Sequence, residues 1–417
     1  MKKLVTLVAT AALASTSAFG VAVTAQAADS SATSTTASGA LAASASFQEK
    51  LDWAVARANL PADLKSRILE LGKRLPADHE QRLLAAGSRY GVGDTTWREL
   101  LNSAINPGDY ACTTTPLTEW INGQVDEIDF YTYFILYLIG GLDLPTYDAL
   151  ILGTESKANT FGIDGSYTNE LNNAMKHLRD FWDIDGASVQ LMPMKGKQAF
   201  ADVNRMAYVL SIMYGDTPEE ELYYAEMIQE LVNSDPALRG GDHPLFTFNA
   251  FAFDPGDDEY LLELGITKRI VMGDGIMEGM KAIGLDVTAP RSILSHEFGH
   301  QVQYAKNLFD SPLTGPEATR RTELMADALG SYFMTHKRGQ AINDHKVLQN
   351  EQSFYNVGDC SFSSSGHHGT PNQRIAASKW AIGVVKGQEN QGHFVGGSEF
   401  GSMFDAKLPE IVAPDAK

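Results

Sequence analysis

The chain has 417 residues, 44% hydrophobic and 20% charged, which excludes collagen-like, coiled-coil and wholly disordered readings. Fifty-two acidic against 33 basic residues give a net charge of −19, which repels phosphate backbones and argues against nucleic acid as a partner. Two cysteines are too few for a disulfide framework or a thiolate metal cluster.

In chain order, residues 1–27 read as a signal peptide. Lys2 and Lys3 precede an apolar run from Leu4 to Val23, and Ala25-Gln26-Ala27 has the small-x-small pattern of a cleavage site. The alternative, an N-terminal anchor, fits less well with the Thr and Ser in the run and with the cleavage pattern. The chain is therefore expected to be secreted or periplasmic, with no transmembrane anchor after cleavage. In that oxidising setting Cys112 and Cys360 are expected to form a disulfide.

Residues 28–46 are almost all Ala, Ser, Thr and Gly and read as a linker. Residues 47–105 read as a helical N-terminal segment. Leu64, Ile68, Leu71 and Leu75 recur at helical spacing, and Leu-Pro-Ala-Asp occurs twice, at 60–63 and 75–78, with Pro placed for a helix start. Its role stays open between a removable pro-segment, a binding module and packing. Residues 106–417 read as one further domain. In it, Ile128 to Ile139 is a buried helix or strand, Val189 to Met192 a short strand, and Ala199 to Tyr214 and Pro218 to Val232 helices. Lys268 to Met272 is a second strand, with Gly273-Asp274-Gly275 as the turn after it.

One motif carries chemistry: His296-Glu297-Phe298-Gly299-His300. On a helix, residues four apart share a face, so both imidazoles reach one metal, and the intervening Glu can take a proton from water held there. Pro290 opens this helix, and Val302, Gln303 and Tyr304 continue it. A catalytic zinc takes three protein ligands and keeps one position open. The metzincin continuation would require Gly at 303 and His at 306; the chain has Gln303 and Lys306, so that class is excluded. A second helix, Glu317 to Lys337, contains Glu323-Leu324-Met325-Ala326-Asp327. Glu323 is the expected third ligand. Asp327, on the same face, is expected to accept the other N–H of a ligand histidine. Glu317 is the rival ligand, although its place in the first helical turn is explained by the helix dipole.

H-E-x-x-H followed by E-x-x-x-D resembles the gluzincin signature of thermolysin-type peptidases and of CAAX prenyl endopeptidases. The chain is also similar to bacterial neutral zinc metallopeptidases, which share the E-L-x-A-D helix and a later H-G-T-x-x-Q-R, here His368 to Arg374. Thr247 to Phe253 resembles the N-A-F edge strand of gluzincins. The resemblance covers about 245–380, roughly a third of the chain. It implies an α+β fold with a zincin-like catalytic core, active-site helices beside a small sheet with an exposed edge strand, plus extra N-terminal helices. It also implies that a peptide or protein substrate pairs with the strand at Asn249, Ala250 and Phe251. The spacing from His300 to Glu323 is nearer to the thermolysin type, and the membrane helices of the prenyl endopeptidases are absent, so lipidated substrates are not carried over. The acidic stretch Asp254 to Glu259 lacks a full calcium-loop spacing and reads as a solvated turn.

The expected function is a zinc-dependent peptidase, an endopeptidase in first reading, with one Zn2+ per chain. His296, His300 and Glu323 are its ligands and Glu297 is the general base. His368, with His367 and Arg374 behind it on a Gly-rich loop from 366 to 374, is the expected electrophile for the oxyanion. Tyr304 and Tyr355 are weaker candidates. Two alternatives stand beside it: a catalytically silent zinc-containing binding or chaperone module, and hydrolysis of a non-peptide amide.

Overall fold

The computed structural model describes residues 45–90, 114–358, 367–387 and 392–415. The signal segment 1–27, nearly all of the linker 28–46, and Cys112 and Cys360 with their expected disulfide lie outside the described residues.

Three helices open the described chain: α1 (Phe47–Arg57), α2 (Ala62–Arg74) and α3 (His79–Tyr90). Ser46 caps α1 in a reciprocal box with Glu49, satisfying backbone N–H groups the helix cannot. Leu64, Ile68 and Leu71 form the buried stripe of α2, as their spacing predicts. Next come α4 (Pro116–Val125), α5 (Phe130–Leu138), α6 (Leu144–Leu152) and α7 (Thr168–Phe181). The apolar run at 128–139 is the helix α5, begun by Asp129, whose carboxylate accepts from Thr132 N–H. Among the described residues no helix is long and apolar enough to cross a membrane.

The sheet has three strands, β1 (Gln190–Met194), β2 (Ala250–Phe253) and β3 (Arg269–Gly273). β3 is central, parallel to β1 and antiparallel to β2, with Phe251 opposite Val271. Among the described residues no strand pairs with the outer side of β2. Between β1 and β2 lie α8 (Gly196–Ala201), α9 (Val203–Tyr214) and α10 (Pro218–Ser234). The single helix expected over 199–214 is two. Asp202 is extended (φ −122°, ψ 112°), and its carboxylate accepts from Asn204 and Arg205 N–H, so it ends one helix and caps the next. The strand expected from Thr247 is also shorter, because Pro244–Thr247 form a 3-10 turn.

Short α11 (Glu259–Glu263) precedes β3, and α12 (Asp274–Ala282) follows it directly. The turn expected at 273–275 is absent. These glycines serve close approach instead: a Cβ on Gly273 would stand 2.1 Å from Thr247 O, and one on Gly275 2.1 Å from Pro244 O. Asp258 caps α11 and Asp254 pairs with Lys268, so the acidic stretch does local structural work. The chain closes with α13 (Ala289–Lys306), α14 (Pro316–Thr335), α15 (Asp344–Asn356), α16 (Pro371–Lys386) and α17 (Gly397–Ile411). Thr370 caps α16 with Gln373, so Arg374 sits in a helical first turn and not on the loop expected for 366–374.

The protein is thus mostly helical around a small sheet, an α+β arrangement. The period-two alternation of the strands makes the sheet a partition. Met192, Met194, Phe251, Phe253 and Val271 face a core built with α1–α3, α5, α6, α9 and α10. Leu191, Ile270 and Met272 face a second core built with α4, α7, α12–α14, α16 and α17. The N-terminal helices share the first core: His79 is buried against Phe47, Tyr214 and Tyr224, and Arg67 pairs with Glu230 of α10. On β2, the small Ala250 and Ala252 lie on the side facing the second core, where α13 packs over the strand.

Candidate metal centre

Both motif histidines lie on α13, whose stretch from Ser292 to Gly299 is buried on every side. A helix so enclosed must give each polar side chain a partner. Ser292 donates to Asn350 Oδ1 at 2.7 Å, and Asn350 reaches Ser331 and Ser378, joining α13, α14, α15 and α16 through one polar network. The α13–α14 contact is close because Gly299 and Gly330 stand on it. A Cβ on Gly330 would lie 3.0 Å from His296 N, and one on Gly299 3.2 Å from Ala326 Cα.

That approach brings Glu323 to the histidines. Its two oxygens lie 3.3 Å from His296 Nε2 and 3.3 Å from His300 Nε2, and the two nitrogens lie 3.1 Å apart. The outer nitrogens are tied back. His296 Nδ1 is 2.8 Å from Asp327 Oδ1, and an ionised carboxylate only accepts, so Nδ1 carries the proton. His300 Nδ1 is 2.7 Å from Gln303 Oε1; the amide orientation follows because Gln303 Nε2 donates to Thr322 O at 2.8 Å. In the neutral rings both Nε2 atoms therefore present lone pairs to each other and to a carboxylate. Such a face calls for a cation at its centre, a metal ion or a proton on one of the nitrogens. Its three edges match a tetrahedral metal: bonds of about 2.0–2.1 Å set ligand atoms roughly 3.3–3.4 Å apart. His296, Glu297 and His300 form a buried group whose ligand atoms lie within 4.8 Å of one another and can hold a metal ion.

The charges agree. In the metal-free protein burial by itself would push His296 down, but the hydrogen bonds it donates to Asp327 and Glu323 win and raise it to about 10. Glu323 is likewise pushed up by burial, yet the neighbouring His368 and His300 and the hydrogen bonds it accepts from His296 and His300 hold it well below its usual range. Glu297 is raised by burial in spite of His296 and His300 beside it.

The remaining expected residues divide. His368 is half-buried, with Nδ1 3.7 Å from Glu323 Oε2, at the edge of the group. Arg374 is buried behind it: Nε and Nη2 grip Asp327 at 2.7 and 2.6 Å, while Nη2 is 4.0 Å from Glu323. His367 is buried. The rival Glu317 is turned to Arg320. Asn249, just before β2, and Ala250, its first residue, are half-buried, but the Phe251 side chain belongs to the other core. Sequence reading gave Gln303 no role at the site: it appeared as a residue continuing the motif helix and as a position lacking glycine. Its signal was its place three residues after His300, on the same helix face. Gln301 was also missed: its amide donates to Phe253 O and to Arg269 O, both at 3.1 Å, tying α13 to β2 and β3.

No family model, no curated protein and no solved structure matches this chain.

Proposed function

We propose that the chain is a secreted or periplasmic zinc peptidase with a zincin-like core, in which His296, His300 and Glu323 hold the metal and Glu297 is the general base. The observation that carries this reading is the triangle of two Nε2 atoms and one carboxylate, with edges of 3.1–3.3 Å. Two imidazoles and a carboxylate are ligands that suit zinc. When bound, zinc polarises the scissile carbonyl and lowers the pKa of water to about 7.

The chain's own residues supply the rest. Glu297, adjacent to the triangle, takes a proton from the attacking water. The water oxygen bonds the carbonyl carbon, the C–N bond breaks, and Glu297 delivers the proton to the leaving amine. His368 lies at hand to donate to the carbonyl oxygen as its charge grows. Asp327 fixes the His296 tautomer, Gln303 that of His300, and Arg374 fixes Asp327. The outer side of β2, unpaired among the described residues and next to α13, is where an extended peptide would add as a strand. A silent zinc module would have no use for a buried carboxylate at Glu297, and a non-peptide amide none for the strand edge.

Metal analysis and peptide hydrolysis test this together. Purified wild type should carry one zinc, and His300→Ala and Glu323→Ala should lose it. Glu297→Gln should keep zinc and lose hydrolysis by at least about 10²–10⁴-fold. Unchanged zinc in His300→Ala refutes the ligand set, and full activity in zinc-loaded Glu297→Gln refutes the base.

A further inference from the structure

We draw no further inference here: the strongest candidate, the surface patch of aromatic rings that Phe130, Tyr131 and Phe134 form at the start of α5, carries none because nothing in the structure shows what covers it.

Discussion

At the scale of single residues, the centre depends on a buried chain of contacts from His296 through Asp327 to Arg374. Asp327 and Arg374 are almost wholly enclosed and bind each other through two hydrogen bonds. Removing one member of such a pair is costlier than removing both. Arg374→Ala should therefore destabilise by about 3–5 kcal/mol, and adding Asp327→Ala should recover part of that loss. Metal affinity should not recover, since Asp327→Ala alone weakens it by roughly 10–100-fold. Thermal melts of the metal-free proteins and chelator competition read the two effects separately. If the double variant melts no higher than Arg374→Ala, the pair is not what holds that corner of the fold.

At the scale of elements, Gly330 decides how near α14 comes to the histidines. Gly330→Ala gains about 1 kcal/mol of helix propensity and meets the backbone of Ser295 and His296 at 3.0–3.1 Å, a crowding of similar size. The melting temperature should move little. The ligand triangle should open by a few tenths of an ångström, and metal affinity should fall about tenfold or more; an unchanged zinc dissociation constant would show that the helices yield elsewhere. The two helices and the pairing of Asp327 with a motif histidine were legible in the sequence, because i,i+4 spacing on a helix fixes which residues share a face. What brought the helices together was not. Gly299 and Gly330 look neutral without their neighbours, and Arg374 meets Asp327 across 47 residues of chain. Local competition was missed too: Asp202 divides a helix its apolar pattern would continue, and α12 begins where two glycines suggested a turn.

At the scale of the molecule, the sheet separates a core that holds the candidate metal centre from one that, among the described residues, holds none of it. The segment 47–105 was open between a pro-segment, a binding module and packing, and the buried Leu51, Val55, Leu64, Ile68 and Leu71 favour packing. Each such side chain stabilises by about 1.5–3 kcal/mol, so together they match the whole stability of a typical domain. A chain beginning at residue 91 should lose its cooperative thermal transition. If it melts at the full-length temperature, the segment is separable, as a pro-segment would be.

The amide of Gln301 has a consequence of its own. It clasps the last carbonyl of β2 and the first of β3 from the position next to His300. Strand and candidate metal centre are therefore fastened to each other where α13 packs over the sheet. On the proposed reading, a peptide laid along β2 is indexed like tape against a fixed cutting head. The distance from any paired residue to the cleaved bond is then set by that clamp and the packing around it, whatever the length of the substrate on either side.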